Sequence, residues 1–249
     1  LADLNLLQIL VCIGAFLLGG LVKGVIGMAL PVVAVSVLTT VVSVPDAVAL
    51  QVLPILASNL WQGAHPRHVG PTLRRFWPLL ATVILGLAVG TGLLVEINPR
   101  ALYGVVGSAI VLLAVVQFLA PDFAVPPAQE RWASPVVGFI AGVLGGLATM
   151  FGPVIGMYLT ALRLPKDSFI NSQGVAYFAA GVPLTLFLFA RGVLDLRLFW
   201  FSAAACLPVF IGMLAGQRLR DRIDQRRFRK LVLAALFLIG VNLIRRSIW

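Results

Sequence analysis

No aspartate or glutamate stands deep inside any apolar run of this chain. Only nine acidic residues occur in 249, and Asp46, Glu96, Asp167 and Asp195 fall at the ends of apolar segments or between them. Proton-coupled pumps carry carboxylates or histidine chains inside their spans, so this composition argues against that class. Cysteine is scarce too. Cys12 and Cys206 both lie in apolar runs, where a thiol behaves as a small buried apolar group rather than as half of a disulfide or a metal ligand. His65 and His68 stand in a basic loop without other ligand types beside them, a weak metal signal. There is no Walker sequence, no nucleophile elbow and no Cys/His cluster. The chain is therefore not expected to be an enzyme, and no catalytic residue, metal or cofactor is assigned. Polar stretches are short: the longest are 64–75, 121–132 and 217–230, which leaves no room for an extended soluble domain.

Apolar sequence fills the rest. Charged residues make up 11%, against about 25% in soluble domains, and the mean hydropathy is +1.03. Apolar runs of membrane-spanning length tile the chain, without the ten-residue alternation of a β-barrel. The fold class is an all-α polytopic membrane protein. The net charge of +10 sits in short loops, where Lys and Arg orient a membrane protein, so nucleic acid is not an expected partner.

The segment from Asp3 to Val42 is too apolar to leave the membrane and too long to cross it once. As a helix it would reach about 60 Å, twice a bilayer core of about 30 Å. Gly19, Gly20, Gly24, Gly27 and Pro31 break it, and Lys23 stands in the break. The same pattern returns as Gly142, Gly145, Gly146, Gly152 and Pro153. Other landmarks recur in the same order: Leu73–Trp77 as Leu196–Trp200, Ile97–Arg100 as Ile223–Arg226, and Val44-Pro45-Asp46 as Leu164-Pro165-Lys166-Asp167. Two halves follow, 1–120 and 128–249, joined by a linker at 121–127. Each reads as a broken-helix pair (4–22 with 29–43; 133–145 with 153–163) and three transmembrane helices (46–63, 76–96, 101–120; 168–190, 198–217, 226–247). Pro54 and Pro183 lie inside helices and predict kinks.

Charge sets the orientation. If each broken pair enters and returns, loops 64–75, 121–132, 163–167 and 217–230 share one side with 13 Lys and Arg, against 5 (Arg100, Arg191, Arg197, Arg245, Arg246) on the other. If each broken segment crosses once, the division is 8 to 10 and carries no bias. The positive-inside rule selects the first arrangement. It makes the halves inverted repeats with both termini outside the cytoplasm.

The breaks would place two half-helix N-termini inside the protein. In the second half only about 13 residues precede Gly145 in the expected helix, roughly 20 Å, so that turn is expected within the membrane. Helix N-termini carry positive partial charge and bind anions, and discontinuous transporter helices use them so. Lys23 adds a full charge; its alternative is to snorkel to the interface. The candidate substrate-binding residues are Lys23, Gly24, Gly27 and Pro31 in the first break, and Gly146, Thr149, Gly152 and Pro153 in the second. Gln51, Asn59, Asn171 and Gln173 add neutral polar groups. Gln51, Ser58 and Gln62 share a helical face by their spacing, and interhelical hydrogen bonding is the alternative role for these polar residues. Trp61, Trp77, Trp200 and Trp249 read as interface anchors.

On Gly19-Gly20…Gly24…Gly27…Pro31, on Gly142…Gly145-Gly146…Gly152-Pro153 and on two similar halves, the whole chain resembles the sulfite exporter TauE/SafE family. The resemblance implies a permease for sulfite and organosulfonates. In this chain Val25-Ile26-Gly27-Met28-Ala29 carries fewer glycines than that pattern leads one to expect, which bears on pocket size and so on the substrate. The reading is a permease of the bacterial inner membrane exporting such an anion by alternating access. An ion-coupled importer of the same anions and a non-transporting scaffold or assembly protein are the alternatives. The expected partners are the small anion and the lipid bilayer, with a homo-oligomer left open.

Overall fold

In hydrocarbon every backbone N–H and C=O must be paired within the protein, and a helix does this for an isolated apolar run. The structure, a computed structural model, describes residues 6–63, 66–119, 124–164, 166–220, 222 and 224–248. Its elements are all helices: α1 Leu6–Ile26, α2 Leu30–Leu38, α3 Val44–Leu50, α4 Val52–Gly63, α5 Pro66–Glu96, α6 Pro99–Leu119, α7 Pro127–Ala148, α8 Phe151–Ala161, α9 Lys166–Ala190, α10 Leu196–Arg220 and α11 Gln225–Ile248. Among the described residues eight helical spans are long and apolar enough to cross a membrane, with α3 and α4 counted together. The short members α2 and α8 follow the two breaks. His65, Trp249 and linker residues 121–123 lie outside the described residues.

Proline explains the local departures. Pro54 has no N–H for the carbonyl four residues earlier, and the helix breaks just before it, at Gln51 (φ −91°, ψ −12°), into α3 and α4. The backbone N–H of Leu53, beside the break, donates instead to Ser202 Oγ of α10 at 3.1 Å. The break also corrects the shared face expected for Gln51 and Ser58, which now stand on separate helical pieces. In α5 the backbone leaves helical geometry at Phe76 (φ −101°, ψ 16°), two residues before Pro78. Pro183, by contrast, lies in an unbroken α9 assignment. A further correction concerns α7, which starts at Pro127 and not at 133. Its 22 residues match the 21 of α1, so length no longer decides how deep the second break lies.

Glycine spacing sets the packing. Gly20 and Gly24 of α1 face Val209, Met213 and Gly216 of α10, and Gly212 faces Leu17 and Leu21. Gly138, Gly142 and Gly146 of α7 face Leu79, Val83, Gly86 and Gly90 of α5. A Cβ at Gly20, Gly24, Gly142 or Gly146 would meet backbone of the neighbouring helix. These are small-xxx-small contacts in which backbones approach closely without a hydrophobic driving force. Residue numbers rise together across both interfaces, so α1 runs parallel to α10 and α5 to α7. Between α6 and α11 they run oppositely: Gly104 meets Ser247, and Val111 meets Gly240. These last helices of the two chain halves are antiparallel.

Each break turns the chain back. Gly19 of α1 lies against Leu30 and Ala34 of α2. Ser134 of α7 is hydrogen-bonded to the Tyr158 hydroxyl of α8 at 2.6 Å, and Val125 N–H, just before α7, donates to the Ala161 carbonyl at the end of α8. The start of α7 and the end of α8 are therefore at one level. Arg75 of α5 joins them through Glu130, with Nε–Oε1 at 2.8 Å and Nη2–Oε2 at 2.9 Å. At the opposite level Arg191, after α9, donates to the Ala88 carbonyl of α5, and Arg246 of α11 donates to the Thr39 carbonyl after α2.

Candidate functional site

The first break is a left-handed turn. Gly27 has φ 89° and Ala29 has φ 77°. Glycine takes such an angle without steric cost, whereas a residue with a Cβ is strained there by about 1–2 kcal/mol. Gly27 N–H still donates to the Lys23 carbonyl, and α2 opens with Pro31 in its first turn, where a missing N–H costs no helical bond. In the second break Thr149 takes the left-handed cap (φ 58°), and α8 opens at Phe151 with Pro153 two residues on. Both half-helices thus begin at a turn of left-handed backbone.

The two openings face one small cavity. Met28, Ala29, Leu30 and Pro31 line it from the first break, Phe151 from the second, Lys23 from α1, Ile55 and Asn59 from α4, and Tyr177 from α9. It offers ≈ 10 Å³ to the centre of a water molecule, room for about one water.

Lys23 does not snorkel. Its side chain is buried, 3% exposed. Its ammonium donates to Ser58 Oγ at 2.8 Å and to Asn59 Oδ1. Both acceptors are neutral. Among the described residues the ion pairs are Arg75–Glu130 and Arg227–Asp224, so no carboxylate balances Lys23. An ammonium has three donors; with two taken, one remains for the cavity. The Asn59 carboxamide accepts from Lys23 through its oxygen, which leaves its N–H groups as donors toward a ligand.

The remaining candidates divide. Gly24 and Gly146 lie inside helices, packed on α10 and α5, and are not part of the turns. Gly27 and Thr149 form the turns. The Gly152 carbonyl accepts from the Tyr177 hydroxyl, which itself accepts from Gln173 Nε2 at 3.2 Å. Gln173 thereby connects to the cavity through Tyr177. Gln51 is wholly buried at the α3–α4 break and donates to the Ala47 carbonyl at 2.9 Å. Asn171 is half-buried near the start of α9 and does not line the cavity. The side chains of Gln62 and His68 lie outside the described residues.

Sequence reasoning missed Tyr177 and Ile55, whereas Met28 and Phe151 stand in the two turns whose bulk bears on pocket size. Phe151 and Tyr177 meet edge-on with centroids 5.9 Å apart, and Gly156 leaves space that the Tyr177 hydroxyl and Met28 approach. An aromatic in an apolar run reads as core, and no local signal separated Tyr177 from its neighbours except Gln173 one turn earlier. Together these side chains line the cavity that Lys23 also lines.

A buried ammonium, two half-helix N-termini and an amide converge on one small cavity, and groups of this kind attract an anion. Against known proteins, no curated protein and no solved structure matches the chain. The family model of the sulfite exporter TauE/SafE matches residues 12–243. That span is nearly the whole chain, and the protein therefore belongs to the TauE/SafE sulfite exporter family, a family of membrane transporters.

Proposed function

We propose that this protein moves a sulfur-containing anion, sulfite or an organosulfonate, outward across the bacterial inner membrane by alternating access. The observation that carries the reading is Lys23: a buried ammonium whose partners are two neutral oxygens, at a cavity faced by the first turns of α2 and α8. A desolvated charge without a counter-ion is costly, and a bound anion supplies the counter-ion. Asn59 would add a neutral donor, and the turns at Gly27–Pro31 and Thr149–Pro153 would hold the backbone amides toward the ligand. Gln51, Asn171 and Gln173 belong to the surrounding shell, with Gln173 acting through Tyr177.

The helix arrangement supports a mechanism. The antiparallel α6 and α11, and the matching pairs α1 with α10 and α5 with α7, fit two inverted repeats, 1–120 and 128–249. Transporters built this way rock one repeat against the other around a fixed site. With room for about one water, the cavity must widen to admit a sulfite or sulfonate, which movement of the helices around it would allow. Outward movement needs no coupling ion, because a negative interior favours the exit of an anion by about 2.3 kcal/mol per charge per 100 mV.

The test is flux of labelled sulfite in proteoliposomes at clamped potentials, with sulfoacetate, taurine, sulfate and acetate as competitors. Saturable flux that follows the potential and is inhibited by a sulfonate is the expected result. Flux that follows a proton or sodium gradient at zero potential would make the protein a coupled importer. Folded protein that neither moves nor is stabilised by any of these anions would overturn the reading in favour of a scaffold.

A further inference from the structure

The second cavity lies on the outside of the bundle. Between the end of α6 and the start of α11 runs an apolar groove of ≈ 800 Å³ including its open side, lined by Val115 and Phe118 from α6 and by Leu233, Ala234, Phe237 and Leu238 from α11. Its apolar walls do not call for a soluble ligand, and α11 leaves much of its surface uncovered, with Leu238 68% exposed.

The helix that lines the groove carries its own charge pattern. Positions 230, 233, 234, 237 and 238 follow the spacing that brings residues onto one helix face. Lys230 therefore stands directly above the apolar stripe, and Arg227 continues the same stripe one turn earlier. Lys230 and Arg227 are exposed, and the contact of Arg227 with Asp224 at 3.4 Å is open to solvent on both sides. From Lys230 to Leu238 the helix advances about 12 Å, close to the depth of one leaflet in a core of about 30 Å. A cationic rim leading into an apolar groove of that depth matches one kind of molecule: an anionic headgroup joined to a hydrocarbon chain. Basic pockets between transmembrane helices bind such headgroups.

We propose that the α6–α11 groove holds an acyl chain of an anionic phospholipid, with its phosphate on the basic first turns of α11. The charge of the rim decides the occupant, since a neutral lipid would gain nothing from Arg227 and Lys230 and a second copy of this chain would bring the same cations against them.

Native mass spectrometry of the purified full chain, titrated with phosphatidylglycerol or phosphatidylcholine, tests this. The expected result is retention of phosphatidylglycerol and a rise in melting temperature that phosphatidylcholine does not give. Arg227→Gln with Lys230→Gln alters exposed side chains only, and lowers the apparent affinity for phosphatidylglycerol about fivefold per cation removed. Ala234→Phe fills the groove and displaces the lipid while leaving the charges in place. Equal retention of both lipids, or retention unchanged in both variants, overturns the proposal. So does full disulfide cross-linking of two copies through Leu238→Cys in protein that holds no lipid, which would make the groove an interface between copies.

Discussion

Lys23 is a buried basic group that no carboxylate among the described residues balances. It is 3% exposed and donates to Ser58 and Asn59, and hydrogen bonds to neutral oxygens do not replace an opposite charge. Two outcomes follow for Lys23→Met, which keeps an unbranched side chain of similar bulk. Without ligand the melting temperature holds or rises, because an uncompensated buried charge has been removed. With ligand, the stabilisation by sulfite seen in the wild type disappears and flux falls about tenfold to a hundredfold, the worth of one charge-assisted contact. Differential scanning fluorimetry with and without sulfite, beside proteoliposome flux, checks both. An unstable variant with unchanged flux would make Lys23 a structural residue. Lys23 was legible in the sequence because an ionisable side chain in an apolar run is conspicuous wherever it points. Where it points was not legible, since snorkelling and inward pairing begin from the same sequence. Tyr177 was invisible for the opposite reason: only the fold brings its hydroxyl to the Gly152 carbonyl, 25 residues away.

Helix interfaces carry the next level. Gly145-Gly146 reads as a turn in the sequence, whereas both lie inside α7 and Gly146, like Gly142, packs against α5. The turn itself lies at Thr149, which has a side chain and adopts φ 58° all the same. A glycine serves a turn and a close helix crossing equally well, and the sequence around it does not tell the two apart, because the crossing partner is distant in the chain. Gly142 lies against Val83 and Gly86, and its Cβ would meet the backbone of both. Gly142→Leu should therefore separate α5 from α7 and destabilise the protein by about 1–3 kcal/mol, the usual cost of overpacking. The check is a lower melting temperature in detergent, with a much smaller loss at Gly14, where an added Cβ meets nothing within 4 Å. An equal loss at both positions would remove the packing role. The broken α3–α4 helix was partly legible, since Pro54 predicts an interruption. Its placement at Gln51, and the rescue of the Leu53 N–H by Ser202 of α10, depend on a neighbour 149 residues away.

At the scale of the whole molecule, hydrogen bonds tie the helix ends into two levels. The Arg75–Glu130 pair and the Val125–Ala161 bond mark one; the contacts of Arg191 with Ala88 and of Arg246 with Thr39 mark the other. The first level carries the basic loops, so the positive-inside rule predicts that it faces the cytoplasm. The expected outcome is that a cysteine appended after Trp249 in a variant lacking Cys12 and Cys206 reacts with a membrane-impermeant thiol reagent in intact cells. Labelling only after permeabilisation would reverse the orientation, and with it the direction in which the membrane potential drives an anion.

Composition and apolar run length by themselves determined that this chain is a bundle of membrane helices, because hydrocarbon admits only helices and closed barrels and the chain lacks a barrel's alternation. Proline and glycine placed the interruptions near 27–31 and 149–153, since both residues act on their own backbone. Tertiary structure alone decided which glycines turn and which pack. It also decided that Lys23 points inward to Ser58 and Asn59, and that Phe151 and Tyr177 line the cavity with it. The reason is range: backbone preference and hydropathy act over a few residues, whereas the site joins side chains from α1, α4, α8 and α9 whose meeting depends on how the helices cross.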